Sequence, residues 1–391
     1  MEQKLMALSG NEAVAYAFKQ ARPHVASAFP ITPQTEMMHK YAEFVANGEI
    51  DTEMILVESE HSAMSAAVGS AAAGARTFTA TSSAGFALMW EIVYITASLR
   101  LPICMALVNR ALSGNINIHC DHSDSMGGRD AGWIQLFSEN AQEAYDNAVM
   151  SWRIGEHKDV RLPVMTTYDG FIISHTADSL HMLPDDAAYK FIGPYKPGYT
   201  LLDVENPITV GPLDLTDYYF EHKADQLAAY DKAAEIVGKV SEEYGELTGR
   251  HYGFCEEYKL DDADLVMVIL GSSAGTAKDV IDEYRNKGVK VGLLKVRMFR
   301  PFPASYIAAK LAGRKAVAVL DRSASFGGFG GPVFTEIRSA MYGQQVPVHG
   351  YIYGLGGRDF DLKQVATVIE DLQKVASGGA FEDINLLGVR S

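Results

Sequence analysis

Two doubly wound α/β domains of unequal size, joined by a connector, are what this 391-residue sequence predicts. Short apolar runs alternate with helical patterns up to residue 190, as a parallel sheet covered on both faces requires. The same alternation resumes at residue 256 and continues to 391. Between them, 191–255 opens with Pro- and Gly-punctuated sequence (IGPYKPGYTLLDVENPITVGPLDLT), too apolar for disorder and read as a wrapping linker, and closes with a helical pattern over 217–249.

In the first domain, strands are expected at 24–28, 54–57, 77–80, 103–108 and 163–167. The helix over 62–74, SAMSAAVGSAAAG, has a small-residue surface that allows close packing. In the second, strands are expected at 265–270, 289–296, 316–320 and 348–353, with helices at 274–287, 304–312, 332–342 and 362–375.

Composition removes several functions. Asp and Glu number 49 against 34 Lys and Arg, and a formal charge of −15 repels nucleic acid and anionic membrane surfaces. The three cysteines, Cys104, Cys120 and Cys255, are too far apart for a Cys-x-x-Cys ligand set, so any metal cluster belongs to another chain. The start, Met1-Glu2-Gln3-Lys4, lacks a charged-then-apolar leader, and no apolar run reaches the ~20 residues of a membrane span; a cytoplasmic protein is expected.

Two segments carry chemistry together. Phe29-Pro30-Ile31-Thr32-Pro33 follows one expected strand, and Val57-Glu58-Ser59-Glu60-His61 follows the next. Thiamine diphosphate enzymes need a carboxyl group, withdrawn from water, that shares a proton with the pyrimidine nitrogen opposite the exocyclic amine. Glu60 suits this better than Glu58, because it lies at the strand-to-helix turn where open α/β sheets bind ligands. Taken alone, either carboxylate reads first as a cap of the following helix. Thr32, in a turn stiffened by Pro30 and Pro33, has a pre-set hydroxyl for a substrate, or caps the next helix, as does Thr35. Arg110 closes the apolar run PICMALVNR and offers a planar cation to a carboxylate.

Asp121-His122-Ser123-Asp124 holds metal-ligand types, but adjacent positions of one loop converge poorly on an ion, and a self-bonded loop is expected. Gly127-Gly128 reads as a hinge. Phe326 to Pro332, FGGFGGP, has the glycines of a phosphate cradle without the Walker lysine, and reads better as a packing turn or subunit contact.

Over nearly its whole length the sequence resembles the α subunit of multi-subunit 2-oxoacid:ferredoxin oxidoreductases, the pyruvate:ferredoxin oxidoreductase family. The resemblance rests on AFPITPQTEM, VESEHSAMSAAVGSAAAGARTFTATSSAGFALM, NRALS followed by DHSD, RDAGWIQLFSENAQEAYD, LPVMTTYDGF, GSS and KVRMFRPFP, in order. It implies a pyrimidine-type thiamine diphosphate-binding domain (1–190), a connector (191–255) and a smaller transketolase C-terminal-like domain (256–391). It implies Glu60 as the catalytic acid, Thr32 and Arg110 as substrate contacts, and Pro30, Ile31 and Ser83 beside Glu60 at the cofactor.

The implied reaction is oxidative decarboxylation of a 2-oxoacid to acyl-CoA and CO₂. Thiamine diphosphate would be shared with a β subunit that also holds Mg²⁺, [4Fe-4S] clusters would lie on γ- and δ-type partners, coenzyme A would be co-substrate, and this chain would hold no metal. Electrons would pass to ferredoxin or to an NAD-linked subunit. Pyruvate is the first expectation. Gly114-Asn115 stands where the family's pyruvate enzymes continue Ala-Pro, which leaves open a larger acid such as 2-oxoisovalerate or phenylglyoxylate. A thiamine enzyme without ferredoxin and a non-catalytic scaffold are the competing readings.

Overall fold

A computed structural model describes residues 3–112 and 114–390. Met1 and Glu2, and Ser113 within the block NRALS, lie outside the described residues.

The chain opens with β1 (Lys4–Ser9) and α1 (Gly10–Gln20), joined by a capping box of Ser9 and Glu12. The first sheet then grows through β2 (Val25–Ala28), α2 (Thr35–Ala46), β3 (Glu53–Leu56), α3 (Glu60–Ala72), β4 (Thr77–Thr81), α4 (Ser83–Leu88), α5 (Trp90–Ser98) and β5 (Cys104–Asn109). An irregular loop leads to α6 (Ser123–Gly127), β6 (Ile134–Phe137), α7 (Ala141–Gly155) and β7 (Val164–Asp169). After β8 (Ala177–Met182) and α8 (Asp185–Ile192), the connector runs without regular structure to α9 (Tyr219–Thr248).

The second unit comprises β9 (Cys255–Tyr258), β10 (Leu265–Ile269), α10 (Ser273–Asn286), β11 (Val291–Val296), β12 (Met298–Arg300), α11 (Ala304–Leu311), β13 (Ala316–Asp321), α12 (Pro332–Ala340), β14 (Val348–Tyr353), α13 (Leu362–Ala376) and β15 (Ile384–Leu387).

The first sheet has the order β12-β6-β7-β5-β4-β2-β3, parallel except for β12, and the second β15-β14-β13-β10-β11-β9, parallel except for β9. Central strands such as β5 and β7 are buried along their whole length, because helices cover both faces. One apolar cluster gathers α1, α2, α7 and α9 on one face of the first sheet, and α3 and α5 close the other. The small residues of α3 let it approach closely enough for Ser27 Oγ to donate to Ala63 O at 2.8 Å.

The doubly wound reading of both domains is correct. The strands that sequence periodicity passes over, β1, β6, β8, β9, β12 and β15, are short or pair at sheet edges. β12 is three residues long and exists because its backbone finds β6 of the other sheet. The domains therefore interlock across the 255/256 division, and β9 begins at Cys255, inside the stretch read as connector.

Buried side chains reinforce the junction. Lys295 Nζ meets Glu139, Glu143 and Glu256 at 2.6, 3.0 and 2.7 Å, and Arg297, fully enclosed, donates to Asn147 Oδ1 at 2.8 Å. Lys295 and Arg297 belong to KVRMFRPFP. The connector lies along the first domain, with Thr200 Oγ1 donating to Ala73 O and Tyr199 Oη to Leu99 O.

The FGGFGGP turn is a packing device. The Asp321 carboxylate accepts the Val333 and Phe334 amides at 2.8 and 2.9 Å, filling the helix N-terminus where a phosphate would sit, and a Cβ on Gly331 would overlap it. Burial pushes the Asp321 carboxyl up to about 7 from its ordinary 3.8, against the pull of those two amides. Stability from the protonated group is therefore complete below the ordinary value and is lost as pH rises through about 7. Wild-type stability minus that of Asp321→Asn, from urea unfolding, is expected to fall by about 2 kcal/mol between roughly pH 5 and pH 8. A difference independent of pH would contradict the assignment.

Candidate functional site

The chain runs from β2 to β3 in one direction and then crosses to β4 on the other side of β2, so a crevice opens at the carboxyl ends of these strands. Every residue singled out in the sequence as a candidate for catalysis, substrate or cofactor binding lies after β2, β3, β4 or β5, which are neighbours in the sheet.

After β2, the turn Pro30-Ile31-Thr32-Pro33 is closed by Gln34, whose N–H donates to Ile31 O at 2.8 Å and whose side chain accepts from the Ile31 amide at 3.3 Å. Asn11 Nδ2 holds Pro33 O from behind at 2.9 Å. Neither Thr32 nor Thr35 caps α2; the cap position is Gln34, without a side-chain bond. Thr32 is exposed, and its carbonyl accepts from Arg110 Nη1 at 2.9 Å.

After β3, the two glutamates part. Ser59 caps α3 by accepting the Ser62 amide at 3.2 Å, and exposed Glu58 accepts from Ser62 Oγ at 2.5 Å, which lowers its carboxyl below the ordinary value. Glu60 is 7% exposed and has no hydrogen-bond partner among the described residues. It is not the cap. Its carboxylate lies against α4 so closely that a Cβ on Gly85 would come within 2.6 Å of Glu60 Oε1 and of Thr81 Oγ1. The buried hydroxyls of Thr81 and Ser82 beside it are likewise unpartnered.

Asp124 ties the ends of β4 and β5 together. Its Oδ2 accepts the backbone amides of Ser83 and Arg110, both at 3.0 Å, while Oδ1 accepts Asn109 Nδ2 at 2.9 Å and the Ser125 amide at 2.7 Å. Burial raises its carboxyl to about 6 from 3.8, and these four bonds oppose the rise. Ser83, at φ +43°, also donates its hydroxyl to Ala111 O at 2.6 Å. The bonds of Ser83 thus hold the loop at the ends of β4 and β5.

Arg110 has no carboxylate partner among the described residues. Its guanidinium rests on two carbonyls, Thr32 O and, at 3.3 Å, Asn117 O.

The Asp121 to Asp124 loop is more than self-bonded. Asp121 accepts from Ser123 and from the Gly356 amide, His122 Nε2 meets Asp169 Oδ1 at 2.8 Å, and Asp124 turns to the crevice. Cys120, His122 and Asp169 bring metal-ligand atoms within 4.8 Å of one another. The cation there is already a guanidinium: Arg322 Nη1 lies 2.9 Å from Asp169 and 3.9 Å from Cys120 Sγ. Burial alone would raise the Asp169 carboxyl, but His122, then Arg322 and Ser272, hold it well below the usual range. Gly128 packs against Phe86, where a Cβ would lie 2.5 Å from the ring, while a Cβ on Gly127 would meet nothing within 4 Å.

A half-site of this kind, with a buried carboxylate unpartnered among the described residues at the switch crevice of a parallel sheet and the Arg110 guanidinium three strands away, fits the class of thiamine enzymes that present an acid to the aminopyrimidine ring. Comparison with known proteins carries this further. Residues 16–242 match the family "Pyruvate flavodoxin/ferredoxin oxidoreductase, thiamine diP-bdg", and 263–365 match "Pyruvate:ferredoxin oxidoreductase core domain II". Pyruvate synthase subunit PorA of Thermotoga maritima is 55% identical over 94% of both chains. Ketoisovalerate oxidoreductase subunit VorA of Pyrococcus horikoshii is 44% identical over 96% of this chain and 95% of its own.

A 2-oxoglutarate:ferredoxin oxidoreductase from Magnetococcus marinus has the same fold, with TM-score 0.74 at 18% identity over 96% of this chain and 66% of that one. A split-gene transketolase follows at 0.56 and 12%, over 95% of this chain and all of that one. The chain belongs to the pyruvate flavodoxin/ferredoxin oxidoreductase family, and it is an α-type subunit of a 2-oxoacid:ferredoxin oxidoreductase.

Sequence reasoning missed Asp124 as the tie; the only signal was an acid in the Asp-His-Ser-Asp run, 14 residues after Arg110. Asp124→Ala strands four donors, three of them backbone amides, and is expected to cost about 3–5 kcal/mol. It should also release the Ser83 and Arg110 amides to faster hydrogen exchange than their neighbours. Unchanged protection at both would refute the tie.

Proposed function

We propose that this chain supplies the proton-handling and carboxylate-reading half of an enzyme that converts pyruvate and coenzyme A to acetyl-CoA and CO₂. The observation that carries it is Glu60, a buried carboxylate without a hydrogen-bond partner among the described residues, packed against Gly85. These residues fit the pyrimidine side of thiamine diphosphate. When bound, that cofactor supplies the carbon nucleophile and the electron sink that decarboxylation of a 2-oxoacid needs.

Glu60 holds a proton at the ring nitrogen, and its seclusion keeps water from competing for it. Arg110, with Nη2 unengaged among the described residues, binds the substrate carboxylate, and the Thr32 hydroxyl, also unengaged, lies on the same turn as the carbonyl that steadies it. Pro30 and Ile31 wall the crevice.

A β-type subunit completes the site with the diphosphate and Mg²⁺, and γ- and δ-type partners hold [4Fe-4S] clusters that pass electrons to ferredoxin or an NAD-linked subunit. Partner contact is supported by large apolar side chains left exposed around the crevice and along the connector, among them Leu88, Trp90, Tyr94, Val204, Leu213 and Phe220. All three cysteines are buried and unpaired, in keeping with a reducing cytoplasm, and no helix among the described residues is long and apolar enough to cross a membrane.

Pyruvate is favoured by the greater identity to the pyruvate synthase subunit than to the ketoisovalerate one. A branched-chain acid is the second reading, since Gly114 leaves open space where a Cβ would meet nothing within 4 Å. Rates on pyruvate, 2-oxoisovalerate and phenylglyoxylate in the purified complex decide between them.

In that complex, Glu60→Ala is expected to lower turnover by about 10²-fold or more with assembly intact; normal turnover would refute the role. Arg110→Ala is expected to reduce kcat/KM for the 2-oxoacid by about 10–100-fold without weakening thiamine diphosphate binding. An unchanged kcat/KM would remove Arg110 from the substrate.

A further inference from the structure

The guanidinium of Arg110 is oriented by two carbonyls, and only one of them belongs to a stiff element. Thr32 O is fixed by the proline turn, but Asn117 O stands in an irregular loop in which Ile116 and Ile118 are exposed. What holds Asn117 lies in the second domain.

Asn117 Nδ2 donates to Gly356 O at 2.8 Å, and its Oδ1 accepts the His119 amide at 2.8 Å. The Gly356 amide donates to Asp121 Oδ2 at 3.1 Å. Gly357 presses on His119, where an added Cβ would overlap the imidazole side chain, and an added Cβ on Gly356 would overlap Asn117 Nδ2. One turn thus touches three alternate residues of the loop that carries Arg110's second support. Gly354, Gly356 and Gly357 all have positive φ, at 63°, 60° and 78°, so a side chain at any of them meets backbone strain as well as, at the last two, the loop itself.

We propose that the Gly354-Leu355-Gly356-Gly357 turn of the second domain is a positioning element for substrate recognition, acting through Asn117 on Arg110. This rests on the reading that Arg110 binds the 2-oxoacid carboxylate. The second domain thereby governs how well the crevice reads its substrate. Asn117 and Gly356 are positioning residues, and their effect belongs in substrate affinity rather than in the chemical step.

The test is a double-mutant cycle in the assembled complex between Asn117→Ala and Arg110→Ala. Asn117→Ala is expected to lower kcat/KM for the 2-oxoacid about 5–20-fold, mostly through KM, with kcat at saturation within about 2-fold of wild type. In the Arg110→Ala background the same change should have almost no further effect. Gly356→Ala, a second route to the same displacement, should lower kcat/KM in the same way and be equally silent without Arg110.

A loss by Asn117→Ala that multiplies fully with that of Arg110→Ala, or no loss at all, overturns the positioning role. If Arg110→Ala itself leaves kcat/KM unchanged, the carboxylate reading falls first and the positioning role with it. If Arg110→Ala is severe and Asn117→Ala and Gly356→Ala are neutral, only the positioning role falls.

Discussion

The site depends on one carboxylate accepting four hydrogen bonds in the dark of the protein. Asp124 joins the backbone that follows β4 to the backbone that follows β5, and both segments lack a regular partner there because the strands have just ended. Backbone amides leaving a parallel sheet must be satisfied by something, and at the mouth of a crevice water would compete with a ligand. A buried side-chain acceptor solves this without filling the crevice. It leaves the Arg110 side chain free to point away from its own anchored amide, and it places α4 where Gly85 can lie against Glu60.

The two domains use the same architecture in opposite ways. Both have helix N-termini at the carboxyl edge of a parallel sheet, the usual place for an anion. In the second domain the chain's own carboxylates fill these positions: Asp321 sits at the start of α12, and Asp169, reaching over from β7, accepts the Ser272 amide at 3.1 Å and the Ser272 hydroxyl just before α10. In the first domain the Glu60 carboxylate and the hydroxyls of Thr81 and Ser82 have no hydrogen-bond partner among the described residues.

Much of this was legible in the sequence. The alternation of apolar and helical runs located the central strands because buried parallel strands must be continuous in hydrophobicity, and β14 (Val348–Tyr353) was placed to the residue. β12 was illegible because its three residues have no periodicity of their own and pair only through the tertiary fold. At the site, the placing of Glu60 and Arg110 at the crevice was readable because Glu60 lies at a strand-to-helix turn and Arg110 closes an apolar run, and strand ends face the crevice. Asp124, Asn117 and Gly356 were not. Their roles come from loops that meet only after folding, and an acid in Asp-His-Ser-Asp resembles a metal ligand or a turn residue equally well until its partners are seen.

The central claim is that Glu60 meets a ring contributed across a subunit boundary. An experimental structure of the assembled complex with thiamine diphosphate bound tests it most directly. The Glu60 carboxylate is expected within hydrogen-bonding distance, about 3 Å, of the pyrimidine nitrogen opposite the exocyclic amine. A ring held by a different acid, or by Glu58 with Glu60 turned into the core, would contradict it.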